Sequence, residues 1–163
     1  MKKLIYTLLI IIALTNNSFS AGSSGDNDST SKISDYAKAK KLIKSAKKYE
    51  KKGKTEKAQK KYAKAQKLLL KSNDKKPLQA DTLNYLGFTT RKLGDFEGGE
   101  KFYLQGLEIE PNHNGINEYL GELYVVTNRI DMAKERLEVL KTCNCEEYEE
   151  LKEIIDGTKK SKY

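Results

Sequence analysis

"EYLGELY", residues Glu118 to Tyr124, sets a glycine in the middle of a stretch that otherwise reads as helix. A glycine inside a helix costs roughly 1 kcal/mol relative to alanine, so its presence asks for a packing reason. Upstream stands "NYLGFTT", Asn84 to Thr90, whose Tyr85-Leu86-Gly87 match Tyr119-Leu120-Gly121 at a spacing of 34. Aligned on these triplets, the small residues Gly99 and Ala133 and the large ones Tyr103 and Leu137 keep the same spacing. A more distant copy precedes them at a spacing of 41: Leu42, Ala46, Tyr49, Gly53, Ala58, Tyr62 and Ala65. The additional residues fall around "KSNDKKP", Lys71 to Pro77, and are expected to form a surface loop, where an insertion costs little.

In each copy two apolar-periodic helices flank a turn, at Gly53-Lys54, Gly94-Asp95 and Asn128-Arg129. Glycine and asparagine tolerate the left-handed backbone found just past a helix end. Ala58, Tyr62, Ala65 and Leu69 recur at the i, i+4, i+7 spacing of one helix face. Gly87 and Gly121 are then small because the paired helix crosses close against them. The period, together with Leu83, Leu86-Gly87, Gly99, Tyr103 and Pro111 in one copy and Leu120-Gly121, Tyr124, Ala133 and Leu137 in the next, resembles the tetratricopeptide repeat (TPR). The resemblance spans about Tyr36 to Leu140. It departs from the family pattern where the early aromatic is missing from every copy, where Thr90 replaces a tyrosine, and where Cys145 replaces the proline.

The resemblance implies an all-α fold, a right-handed α-solenoid of three TPR helix pairs (about 39–72, 80–113 and 114–142) plus a C-terminal capping helix, 145–156. In "NCEEYEELKEIIDG", Asn144 and Glu147 have the spacing of a capping box. Tyr148, Leu151 and Ile155 form an apolar stripe, Glu146, Glu149, Glu150 and Lys152 are expected to face solvent, and Gly157 ends the helix. The run from "PNHNG" through "EYLGELY" to "CEEYEELKEII" further resembles short exported bacterial TPR proteins, which implies protein binding and nothing more specific.

The N-terminal "MKKLIYTLLIIIALTNNSFS" combines Lys2 and Lys3 with an apolar run from Leu4 to Leu14 and small residues before Ala21. It reads as a secretory signal peptide, residues 1–20, cleaved after Ser20, and its apolar run is too short to span a bilayer. No cysteine follows for a lipid anchor. Residues 21–32, "AGSSGDNDSTSK", read as a flexible polar linker, 33–157 as the TPR domain, and 158–163 as a loose tail. The mature chain is expected to be periplasmic or secreted, soluble and without a transmembrane segment.

The net charge of +8 conceals an asymmetry: Lys32 to Lys76 holds 18 lysines against 4 acids, and Pro77 to Tyr163 holds 11 basic against 17 acidic residues. The lysines fall among alanines at helical spacing, with no aromatic or arginine pattern for base stacking, so no nucleic-acid partner is expected. A solvated helix face explains the block; an acidic partner protein, or weak electrostatic contact with an anionic envelope surface, is the other reading.

A TPR array implies a concave groove lined by the first helix of each copy, holding a protein or peptide segment. Its positions here would be Lys40, Ile43, Lys47 and Lys51 at one end, Asn84, Phe88, Arg91 and Lys92 in the middle, and Glu118, Glu122, Val125 and Val126 at the other. Phe88 beside Arg91 forms an aromatic-plus-arginine pairing typical of binding hot spots, unless Phe88 packs under a neighbouring helix. Such a groove runs from positive to negative, so a bound segment should carry the opposite polarity. The clamp with which some family members grip the C-terminal carboxylate of heat-shock chaperones would fall on Ile43, Lys47, Tyr85, Gly115 and Tyr119. Only Lys47 is basic, so that clamp is absent.

Cys143 and Cys145 are the only cysteines, and three readings compete. A disulfide across one residue is strained and labile, with a redox role in reach. A dithiolate holding copper or zinc would need further ligands, for which His113 and Met132 are candidates. Plain packing at the base of the cap is the third. His113, in an Asn-rich turn before a helix, reads as a turn or capping residue. No catalytic constellation, phosphate loop or cofactor motif is present in the sequence, so a non-enzyme without cofactor is expected. The i, i+4 carboxylate pairs Glu118/Glu122 and Glu146/Glu150 read as solvated faces. Two functions follow: a non-catalytic protein-interaction scaffold at the cell envelope, or a thiol- or metal-handling protein using Cys143-Asn144-Cys145.

Overall fold

Gly53, Gly94 and Asn128 stand at φ +67°, +97° and +58°, the left-handed region, and each closes a helix in the same way. The amide that follows donates to a carbonyl five residues earlier: Lys54 to Tyr49 (2.9 Å), Asp95 to Thr90 (3.2 Å) and Arg129 to Tyr124 (2.7 Å). This is the Schellman ending, which satisfies carbonyls that a helix terminus leaves open. Gly157 at φ +74° repeats it at the end of the last helix, with Thr158 donating to Glu153. The turns expected from the sequence are therefore the turns of the structure.

The computed structural model describes residues 33–161. Among these it holds helices α1 (Asp35–Glu50), α2 (Thr55–Lys75), α3 (Ala80–Lys92), α4 (Phe96–Ile109), α5 (Asn114–Val126), α6 (Ile130–Leu140) and α7 (Glu146–Ile155), and no strand. Consecutive helices pair as α1/α2, α3/α4 and α5/α6, and the first helices of the pairs adjoin one another. α7 packs on α5 and α6, in the place where a further repeat would begin. The described residues are thus an all-α solenoid with a terminal cap. None of their helices is long and apolar enough to cross a membrane. The signal peptide and the linker of the sequence reading, residues 1–20 and 21–32, lie outside the described residues.

Burial follows the period. Ala58, Tyr62, Ala65 and Leu69 are all fully buried in α2, against Ala39, Ile43 and Ala46 of α1. Phe88 and Leu86 of α3 continue that core, and a second cluster joins Tyr103, Ile116, Leu120, Tyr124 and Ala133. Alanine at four of these positions, Ala39, Ala46, Ala58 and Ala65, lets the two helices approach closely.

Gly87 and Gly99 mark a close crossing of α3 and α4. A Cβ on Gly87 would stand 2.5 Å from the Tyr103 ring, and one on Gly99 would stand 3.0 Å from the Gly87 carbonyl oxygen. Gly121 is small for a different neighbour than its paired helix: a Cβ there would meet Leu151 of the cap at 2.5 Å. The repeat's glycine position thus receives a ring from the paired helix in one copy and a side chain of the cap in the next.

Two sequence expectations are corrected. The segment after Leu70 is not a loop: α2 simply continues to Lys75, because nothing in "KSNDK" breaks a helix before Pro77. Lys75 then pairs with Asp35 of α1 at 2.7 Å, so the insertion lengthens the helix pair. The capping box at Asn144 does not form either. Asn144 takes φ +49°, Cys145 occupies the N-cap position, and no side chain caps α7.

The two kinds of glycine predict opposite causes for similar losses. Gly87→Ala should gain helix propensity yet lower stability by about 1–3 kcal/mol, because the Tyr103 ring must move. Gly94→Ala meets no atom within 4 Å and should lose about 1–2 kcal/mol through its left-handed backbone alone. Urea unfolding of both variants checks this; a neutral Gly87→Ala would mean that Tyr103 steps aside freely.

Candidate functional site

The first helices α1, α3 and α5 line a continuous face. At the α1/α3 end an open cleft of about 560 Å³ is walled by Lys44, Lys47, Lys48 and Lys51, with Phe88 at its floor and Lys92 beside it. A second hollow shares Lys44 and Lys47 and passes over Tyr85 and Tyr119. Tyr85 and Tyr119 also border a third cleft, whose other walls include Asp81, Glu110, Glu118 and Glu147. The face therefore changes from basic at α1 to acidic around Asp81 of α3, Glu110 after α4 and Glu147 of α7. Lysines also cover the opposite side of the first pair, where Lys57, Lys60, Lys61 and Lys64 of α2 border Tyr49.

Lys47 sits at the middle, half-buried, with Nζ donating to the Tyr119 hydroxyl at 3.2 Å and lying 4.5 Å from the Phe88 ring centre. Burial is the first cause that pushes the Tyr119 phenol well above its ordinary value, with the nearby Glu118 adding to it. Tyr119 therefore presents a neutral hydroxyl at any physiological pH.

Several groove positions of the sequence reading turn out to be interior. Phe88 is 1% exposed and packs edge-on to Tyr62 and against Tyr119, with ring centres 5.8 and 5.2 Å apart. Only its rim reaches the cleft floor. Arg91 does not project beside it. Its guanidinium is fully buried between α3 and α5, donating to the Tyr119 carbonyl at 2.6 Å and to Glu122 Oε2 at 3.1 Å. Ile43 and Asn84 are also buried, Val125 is half-buried, and Val126 is exposed. Lys40 and Lys51 remain on the surface.

The reading of Glu118 and Glu122 as a solvated face is likewise corrected: they are 6% and 1% exposed. One oxygen from each of Glu118, Glu122 and Glu150 falls within 4.8 Å of the others, the size of a metal site. Positive charge is already supplied there. Arg91 pairs with Glu122, and Lys159 holds Glu150 at 2.9 Å. Burial, with Glu122 and Glu150 adding to it, pushes the Glu118 carboxyl up to about 9. Protonated Glu118 then donates to Glu150, so three carboxylates are balanced by two cations and a proton. The arrangement joins α3, α5 and α7 without needing a metal ion.

Cys143 and Cys145 are bonded to each other, with Cα atoms 5.2 Å apart, in the turn that leads into α7. His113 is the N-cap of α5: Nδ1 accepts from the Ile116 amide at 3.2 Å, which leaves the hydrogen on Nε2, 3.4 Å from Asp81. That is the capping role expected of it. Asp81, Tyr119 and the exposed Lys44 and Lys48 were not among the sequence-selected groove residues.

Three helix pairs, repeating at 41 and then 34 residues, each joined by the same left-handed turn and stacked first helix on first helix, form an α-solenoid, the fold that the resemblance to the tetratricopeptide repeat implies. Neither a protein-family model nor a curated protein matches the chain. Among solved structures it is similar to the first TPR of Spaghetti (RPAP3) bound to the HSP90 peptide SRMEEVD, at 22% identity and a TM-score of 0.48, covering 77% of this chain and 97% of that one. It is also similar to a chain of the CopN-Scc3 complex, at 19% identity and a TM-score of 0.49, covering 82% and 80%.

Two measurements test the interior network. Arg91→Leu should destabilise by about 3–5 kcal/mol, because it strands the buried Glu122 charge, while Arg91→Leu with Glu122→Leu should recover most of that loss. Glu118 gives a pH signature. Its folded value near 9 lies above its ordinary 4.5, so the folded chain holds more protons than the unfolded one between those limits. Stability from this group is complete below about 4.5 and is lost as pH rises through 9. Glu118→Gln, which keeps the donor, should flatten the fall in melting temperature between pH 6 and 9.

Proposed function

We propose that the protein is a non-catalytic interaction module that holds an extended or helical segment of a partner protein along the α1/α3/α5 face. One observation carries this reading: three clefts with shared lining residues form a single path whose walls change from lysine to carboxylate. A segment with the reverse gradient, acidic over α1 and basic over α5, is complementary to it. The path's floor is set by buried Phe88 and half-buried Tyr119, so the surface is built before the partner arrives. Export to the cell envelope is part of the same proposal, supported by the Lys2-Lys3 and Leu4–Leu14 pattern of a secretory signal; the encounter would then occur in the periplasm or outside the cell. Weak contact of the lysine faces with an anionic envelope surface fits the same charge distribution. The thiol-handling reading has in its favour only the bond between Cys143 and Cys145.

Exposed lysines carry the test, since changes at Phe88 or Arg91 would disturb the core. Affinity capture from envelope extract at moderate salt should retain a partner on the parent protein and lose it on Lys44→Glu/Lys48→Glu, with both proteins equally folded by circular dichroism. Charges at such sites are screened beyond about 8 Å at physiological ionic strength, so the retained partner should elute as salt rises. The same captured set on parent and variant would remove the groove reading.

A further inference from the structure

Along α1, Lys40, Lys44, Lys47 and Lys51 recur at i, i+4, i+7 and i+11, a single stripe of the helix. At 1.5 Å per residue the stripe is about 16 Å long, or three turns. It walls two hollows of about 560 and 360 Å³ that share Lys44 and Lys47 and so form one trough. The trough's surface is mainly carbon: the rim of Phe88, the half-buried rings of Tyr85 and Tyr119, and the stems of the lysines. Lys40, Lys44, Lys48 and Lys51 have no ion pair among the described residues. Like charges four residues apart on a helix repel one another. The one carboxylate at the border, Glu50, is held by Lys92 at 2.6 Å and accepts from the Tyr62 hydroxyl at 2.7 Å. The lysine wall therefore has no counter-charge of its own.

Charge, apolar contact and backbone each restrict the occupant. The lysines call for carboxylates, and the carbon floor calls for large apolar side chains beside them. The backbone is decided by what the trough lacks. Neither hollow is bordered by asparagine or glutamine, whereas the acidic cleft carries Asn84, Asn112 and Asn114. Lysine ammoniums only donate, so they offer nothing to the amides of an extended chain. Laid on carbon, such a chain would lose water from its amides without gaining partners. A helix satisfies its own backbone and brings one apolar face to a groove. We infer that the trough takes an acidic amphipathic helix of the partner, about three turns long. Its carboxylates, at i, i+4, i+7 and i+11, face the lysine stripe, and leucine or aromatic side chains next to them cover Phe88 and Tyr119. The inference rests on the groove reading and narrows it, since that reading admits an extended segment as well.

The test is isothermal titration calorimetry at low salt with capped peptides of about 15 residues, built from glutamate, leucine and alanine on the helical period. The first peptide has glutamates at i, i+4, i+7 and i+11 and leucines at i+3, i+10 and i+14, in adjacent stripes. The second spreads the same residues around the helix. The third keeps the stripes but replaces two interior alanines by proline, which abolishes the helix. The first should bind with a dissociation constant on the order of 10 μM and raise the helical circular-dichroism signal above the sum of the parts. The second and third should bind at least tenfold more weakly. Lys44→Glu/Lys48→Glu should weaken the first peptide at least tenfold. Lys57→Glu/Lys60→Glu makes the same charge change on exposed lysines of α2 outside the trough and should alter it less than twofold. Equal binding of the spread peptide, equal or tighter binding of the proline peptide, no binding of any, or an equal loss on Lys57→Glu/Lys60→Glu would each overturn the helical occupant. These results come from defined peptides, so they do not decide the groove reading. A partner captured from extract by the parent and lost on Lys44→Glu/Lys48→Glu keeps that reading even where the helix falls.

Discussion

Arg91 enters the interior from α3 and is held there by α5, through the Tyr119 carbonyl and the Glu122 carboxylate. Two charges so deeply buried add little net stability, since desolvation consumes most of their attraction. What they supply is register. Apolar helix faces can slide past one another by a turn at modest cost, whereas a buried arginine displaced by a turn would lose its carboxylate. The Arg91–Glu122 separation of 31 residues therefore fixes how α3 meets α5. Phe88 against Tyr119 and Asn84 against Gly115 have the same separation. One register thus produces the ion pair, the aromatic contact beneath Lys47 and the opening beside Asn84.

The cap depends on the same frame. Leu151 of α7 lies over Gly121, where a side chain on α5 would exclude it. Glu150 of the same helix meets the protonated Glu118 one turn away, so the polar network continues from α3 through α5 into α7. An array of identical repeats would leave the last first-helix with an uncovered face. Here a short helix covers that face, and the neutral Glu118 lets carboxylates approach without a metal.

The period, the turns and the α2 stripe were legible in the sequence because they depend on local backbone and on side-chain size. A left-handed turn asks for glycine or asparagine, and a close crossing asks for glycine, wherever they occur. The interior charges were not legible. Arg91, Glu118 and Glu122 read as surface because polarity taken one residue at a time places them there. Their partners are a repeat away, and the signal would have been opposite charges separated by the period less one helical turn. The lengthened α2 is hidden for another reason: a gap between repeats reads as a loop, although a helix absorbs extra residues at its end when no breaker intervenes. In α7 the bonded cysteines hold the entry turn, so the capping pattern around Asn144 had no helix start to act on.

Charged residues therefore fall into two groups with different consequences. Those inside hold the frame and are inaccessible to a partner. Those on the rim, Lys44, Lys48 and Lys51 at one end and Asp81 and Glu147 at the other, border the path without forming its core. A rigid floor lowers the ordering cost of binding, which leaves the rim to govern encounter rate and orientation. Orientation follows from repulsion as much as from attraction. A segment laid in reverse would place its acidic end over Asp81 and Glu147 and its basic end over the lysines, so like charges would meet at both ends. The gradient thus gives direction to a groove whose helical walls alone would accept a segment either way.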